Sequence, residues 1–263
     1  MKVSILTLHS VCNYGTQLQA YATQEKLKEY FDVVDFVDYR RKDTYGIGLI
    51  KTFYKGNFFR MLCVLPTILY WKYIFGTFQR KYLNMAEPRH LNDKNIYNIN
   101  IDSNAYIVGS DQVWNSGWNK GVLPVMFLSF VPDNIPRYAY SSSFGCQKLN
   151  DSDINQSKAL IDKFRYISVR EESGIDILKK QYGFDNVEKI IDPTLVMPPS
   201  FWRGKSGKRK IKEKYILVYN LNRNREFDRY AEKIAKETGY RLYRFCTRFD
   251  QIFKNGKDRK SVV

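Results

Sequence analysis

Arg170 follows a short apolar run and precedes Glu171, Glu172 and Ser173. A guanidinium at the end of a strand can grip a carboxylate or a phosphate through two parallel hydrogen bonds. A plain surface pair of Arg170 with Glu171 would use the same residues. Asn13, Gly15 and Thr16 follow the first apolar run of the chain. Just before a helix, such residues offer contacts to a phosphate or carboxylate, or they simply cap the helix. Gly109-Ser110-Asp111-Gln112-Val113-Trp114-Asn115 follows another apolar run. Gly109 permits a positive φ or a close backbone approach, and Ser110, Asp111, Gln112 and Asn115 can all hydrogen-bond to a ligand. A tight turn in which Ser110 or Asp111 caps a following helix is the competing use. Ser142 and Ser143, before Phe144-Gly145, fit a substrate-contact loop or a turn, and Asp192 stands before the rigid Pro193.

Each of these sets lies where an apolar stretch ends. Residues 2–8, 33–37, 105–108, 137–141 and 166–169 read as strands, and 189–191 lead into Asp192. Residues 17–30 place Leu18, Tyr21, Ala22, Leu27 and Tyr30 on one helical face. Residues 151–164, with Asp151 or Ser152 as cap, and 174–182 read as further helices, and 127–131 as a strand or turn. Strand, glycine-containing loop, helix and strand make a right-handed βαβ unit. The expected fold class is therefore α/β with a Rossmann-like parallel sheet, in which ligands bind beyond the carboxyl ends of the strands. The polar loops then converge on one crevice. Neither GxGxxG nor GxxxxGK[ST] occurs, so no dinucleotide fingerprint or P-loop is expected.

A composition of 44% hydrophobic and 16% aromatic residues supports a real core and excludes a disordered chain. Residues 203–263 carry 19 Lys and Arg against 7 Asp and Glu, which is +12 of the total +16. Such a tail suits phosphates, nucleic acid, anionic lipid or an acidic sugar. It lacks an RNP-type aromatic pattern or a helix-turn-helix, so nucleic acid is not an expected partner. Cys12, Cys63, Cys146 and Cys246 form no CxxC pair, which points to a reduced cytoplasmic protein without a zinc site or disulfide framework. Residues 1–6 read as a strand and not as a signal peptide. The expected domains are 1–200, with a helical insertion near 45–100, then a basic linker at 201–214, then the start of a second α/β domain at 215–263. In the insertion, 61–78 is borderline for a membrane span, being broken by Pro66, Lys72 and Gly76. An amphipathic helix lying on the protein or on a membrane surface fits better, followed by a helix at 76–83. His90, near Glu87 and Arg89, reads as a solvated loop histidine. The second domain offers strands 215–219 and 241–245 around a helix 225–238, before the basic run 257–260.

Five motifs together resemble the polysaccharide pyruvyl transferase family in order and spacing. They are Asn13-Tyr14-Gly15-Thr16-Gln17-Leu18-Gln19-Ala20-Tyr21, the 109–115 heptad, Ser142-Ser143-Phe144-Gly145, Ser168-Val169-Arg170-Glu171 and Asp192-Pro193-Thr194-Leu195. The resemblance covers about residues 1–245 and implies two Rossmann-like domains in a glycosyltransferase B-like arrangement, with the active site in the cleft. It implies transfer of pyruvyl from phosphoenolpyruvate to sugar hydroxyls, forming a ketal in exopolysaccharide or cell-wall polymer biosynthesis. The acceptor would be a sugar or lipid-linked oligosaccharide, with a peripheral contact to the inner face of the membrane. Asp111 and Arg170 then become the catalytic pair. Asp111 takes the hydroxyl proton or stabilises cationic character, and Arg170 holds the donor's carboxylate and phosphate with amides near residues 13–16. Asn13, Gly15, Thr16, Gly109, Ser110, Gln112, Asn115, Ser142, Ser143 and Asp192 become substrate-binding residues, and no metal or cofactor is required. Family members carry a longer second domain with an arginine and histidine motif, whereas the histidines here are His9 and His90. The expectation is a truncated chain of little or no activity. A noncatalytic carbohydrate-binding or scaffold protein of a polysaccharide biosynthesis locus is the alternative.

Overall fold

The computed structural model describes residues 1–54, 58–220, 224–246 and 260–262. The chain forms two compact units, Met1–Leu49 with Lys72–Trp202, and Ile50–Trp71 with Arg203–Val263. The first unit is built on β1 (Lys2–Leu6), β2 (Val33–Phe36), β3 (Ala105–Val108), β4 (Arg137–Ser142), β5 (Phe164–Val169) and β6 (Val187–Lys189). They form one sheet in the order β2-β1-β3-β4-β5-β6, and every neighbouring pair is parallel. This is the expected Rossmann-like α/β architecture. The chain turns one way from β1 to β2 and the other way to β3, so the topological switch point lies between β1 and β3.

Side chains alternate across the sheet with a period of two. Leu6 and Val108 face a core shared with Trp114, Phe144, Ile167 and Tyr182. Val3, Ile5, Ala105 and Ile107 face the opposite one, with Tyr21 and Phe36. Strands buried on both faces must be apolar almost throughout, which is why they were legible as short apolar runs.

The helices, in chain order, are α1 (Tyr14–Leu27), α2 (Gly46–Tyr54), α3 (Phe58–Tyr82), α4 (Ser116–Asn119), α5 (Asp151–Ile161), α6 (Glu172–Asp176), α7 (Pro193–Val196) and α8 (Pro199–Lys205). Several bounds differ from the sequence expectation, and capping explains most of them. The Asn13 side chain accepts the Thr16 amide proton at 3.3 Å, which starts α1 at Tyr14 and not at residue 17. Asn150, not Asp151 or Ser152, caps α5 by accepting from the Asp153 amide at 2.8 Å. Helix 174–182 begins earlier, at Glu172, and passes into a π-helical turn at Ile177–Tyr182. Of the strand or turn expected at 127–131, the turn forms, following a 3-10 turn at Pro124–Phe127. The two helices expected at 61–78 and 76–83 are one, α3, which carries Pro66 inside it. Among the described residues, no helix is long and apolar enough to cross a membrane.

In the second unit, β7 (Tyr215–Val218), β8 (Arg241–Phe245) and β9 (Lys260–Val262) form a three-stranded parallel sheet, with α9 (Arg225–Thr238) between β7 and β8. Asn224 caps α9 through the amides of Glu226 and Phe227, and Gly239 ends it at φ +67°. Residues 257–259 of the basic run lie outside the described residues.

Candidate active site

At the switch point, the first turn of α1 meets the loop that follows β3. Thr16 Oγ donates to Asp111 Oδ2 at 2.7 Å, so a carboxylate sits at the amino end of α1, where the helix dipole favours a negative charge. The other oxygen of Asp111 accepts from the Gln112 amide at 2.8 Å. Asp111 has φ +90°, a sparsely populated backbone region for a non-glycine residue. Strain of that kind survives only where the surroundings over-determine it, and it concentrates at functional sites.

Arg170 reaches the same place from the end of β5. Its guanidinium donates to Asp192 Oδ2 at 3.2 Å and lies 3.4 Å from Glu171 and 3.8 Å from Asp111. All four side chains are about one-quarter exposed. Three carboxylates around one guanidinium leave an excess of negative charge facing solvent.

The carboxylates are not equivalent. Asp192 caps α7, one oxygen accepting from the Thr194 amide at 2.9 Å and its hydroxyl at 2.7 Å. The other accepts from Ser110 Oγ at 3.0 Å as well as from Arg170. Burial pushes the Asp192 carboxyl up, but the bonds from Thr194 and Ser110 and the charge of Arg170 together outweigh it and hold it below the usual carboxylate range. So well satisfied an anion is a poor proton acceptor. Asp111 has fewer donors.

The other loops at this edge hold the scaffold together. Gly109 lies close against β1, where a Cβ would stand 3.1 Å from Thr7 Cβ and 3.3 Å from Ile5 Cγ2. Ser142 donates to the carbonyls of Gly109 at 3.1 Å and Val108 at 3.3 Å. Ser141 is held at φ +54° and donates to Ile190 and Ile191. Ser143 donates to Glu171 and accepts from the Gly145 amide at 3.0 Å. Where parallel strands splay apart, hydroxyls supply the bonds that the ladder no longer makes.

A family model, polysaccharide pyruvyl transferase, matches residues 13–263. The chain belongs to that family. No curated protein matches the sequence. The match takes in all five motifs that carry the resemblance.

In this polysaccharide pyruvyl transferase family member, the expected site residues divide into two groups. Asp111, Arg170, Thr16 and Asp192 come together at the switch point. Asn13 and Gly15 flank it, with Asn13 spent on the helix cap. Gln112 and Asn115 form a separate amide pair, 2.8 Å apart, which leaves no room for a side chain at Gly145. Asn115 also caps α4 through the Trp118 amide. By contrast, Ser110, Ser142 and Ser143 are buried with their hydroxyls committed inside the protein, and Gly109 faces β1. None of these four presents a side-chain group to solvent.

The pair of Arg170 with Glu171 weighed from the sequence forms at 3.4 Å, and Glu171 also accepts from Ser143. The buried set around His9 was not read from the sequence. His9, fully buried, sets Nε2 3.2 Å from Asp38 and Nδ1 3.3 Å from the Thr7 carbonyl. Asp38 also accepts from Arg40 and the His90 amide. Burial raises the Asp38 carboxyl, but the bonds from His9 and Arg40, the His9 charge and the His90 amide bring it well below the usual range. His90 itself lies 3.5 Å from Asp38 with an exposed ring, so its charged company extends beyond Glu87 and Arg89.

Proposed function

We propose that this family member transfers pyruvyl from phosphoenolpyruvate to two hydroxyls of a sugar, in exopolysaccharide or cell-wall polymer biosynthesis. A proton adds to the donor methylene, and an acceptor oxygen bonds to the adjacent carbon. The bond from that carbon to the phosphate oxygen breaks, and a second hydroxyl closes the ketal. Inorganic phosphate leaves, and each hydroxyl gives up one proton. The observation that carries the reading is Asp111, fixed by Thr16 at the switch point with its carboxylate partly exposed. In that position it takes a hydroxyl proton from the acceptor.

Arg170 is given a different task from the one the sequence favoured. Surrounded by three carboxylates, it holds them in place, and the donor's anionic groups need positive charge from elsewhere. Asp111 and Arg170 thus serve the acceptor side. No resident cofactor or metal enters this scheme, in which phosphoenolpyruvate is a substrate.

The test uses the purified chain with phosphoenolpyruvate and a panel of sugar acceptors, following phosphate release and the ketal methyl signal by NMR. Asp111→Asn should reduce the rate roughly 10²–10⁴-fold, as expected for loss of a general base. Glycan binding by a folded chain that forms no ketal would instead favour the noncatalytic carbohydrate-binding reading, as would a rate indifferent to Asp111→Asn.

A further inference from the structure

We propose that the outer face of α3 docks on the surface of a bilayer containing anionic lipid, without crossing it. Residues 44–86 contain Lys51, Lys55, Arg60, Lys72, Arg80 and Lys81 and not one Asp or Glu. In a chain that carries 27 acidic residues, so long an acid-free stretch makes this segment cationic whatever surrounds it.

Within that segment α3 is apolar on two sides. Val64, Ile68, Trp71 and Phe75, spaced i, i+4, i+7 and i+11, are buried. Leu62, Pro66, Leu69 and Tyr73 repeat the same spacing on the opposite side. There Leu62 is 47%, Leu69 59% and Tyr73 69% exposed, and Pro66 is exposed too. Arg80 continues this line two turns further on, and Lys72 and Lys81 are exposed to either side of it. A helix on the surface of a water-soluble protein turns polar residues outward. Here an apolar ridge is turned outward and bordered by cations, which is the arrangement of a helix that lies in a membrane interface.

Charge selects among the occupants. A second copy of this chain seated symmetrically on the ridge would set these cations against their equivalents, with no carboxylate in residues 44–86 to answer them. Arg80 donates to Thr77, and Lys81 lies over the Tyr82 ring at 5.0 Å, and neither contact neutralises the charge. Anionic headgroups do so, while the acyl boundary receives Leu62, Leu69 and Tyr73. The ridge lies on the surface because no described helix has the length and apolarity to span.

The experiment floats the full chain with phosphatidylcholine vesicles containing about one-third phosphatidylglycerol, and with pure phosphatidylcholine vesicles. Binding to the anionic vesicles, weakened by high salt, is expected. Leu69→Asp with Tyr73→Asp should weaken it roughly tenfold or more with an unchanged thermal melt, since both side chains are exposed. Tyr73→Trp should be quenched by brominated lipid. Failure to float overturns the proposal. So does flotation without quenching of the Tyr73→Trp variant, which would place the contact elsewhere. A wild-type dimer that the aspartate pair dissociates would show that the ridge is covered by a second copy, and would overturn it as well.

Discussion

At the scale of single residues, the decisive distinction lies between a carboxylate with many donors and one with fewer. Asp192 accepts from Thr194, Ser110 and Arg170, whereas Asp111 keeps a partly open face held in place by Thr16. Thr16→Val removes that anchor and keeps the volume. It should lower kcat several-fold or more with little change in the melting temperature, as steady-state kinetics beside calorimetry would show. Asp38 gives a second prediction, in stability. Its folded value is depressed, so its contribution is complete above the unfolded value of about 4 and is lost as the pH falls through the lower folded one. Urea midpoints measured from neutral to acid pH should therefore drop for the wild type below that point. The Asp38→Asn variant should start lower and lose less. None of these partnerships was legible in sequence: Thr16 and Asp111 are 95 residues apart, and His9 and Asp38 are 29 apart. Apolar periodicity carries no information on which polar side chains meet.

At the scale of elements, legibility was much greater for strands than for helix starts. The buried strands announce themselves because both faces must be apolar, and β1, β3 and β5 fall where Lys2–Leu6, Ala105–Val108 and Phe164–Val169 are richest in such side chains. Helix starts depend on one capping side chain among several candidates, so Asn150 competed with Asp151 and Ser152 on equal terms. Asn13→Ala, which removes the cap of α1, should cost about 1 kcal/mol in chemical denaturation. It should also reduce activity by loosening Thr16. The heptad after β3 shows the same mixture. Gly109, Ser110, Val113 and Trp114 are buried while Asp111, Gln112 and Asn115 are half-buried, and the residue types alone do not say which. Gly109→Ala tests one of them, for the added methyl meets Thr7 and Ile5 and should destabilise by about 1–3 kcal/mol.

At the scale of the whole molecule, Trp114 ties the site to the core. It is buried against Phe127, Phe144 and Phe164 and donates to the Met126 carbonyl at 2.9 Å. Trp114→Ala should cost about 3–5 kcal/mol of global stability, measured by urea unfolding, although the residue lies only three positions from Asp111. The α/β class and the family were legible because several loops recur in fixed order. Grouping of residues 50–71 with 203–263 was not, since neither stretch resembles the other in composition. The adjacency of β1 and β3 has a consequence in time. Val3 pairs with Ala105 only after the chain between them has been looped out, and closing so long a loop delays the contact. The Thr16–Asp111 bond, which joins the ends of these two strands, waits on that closure.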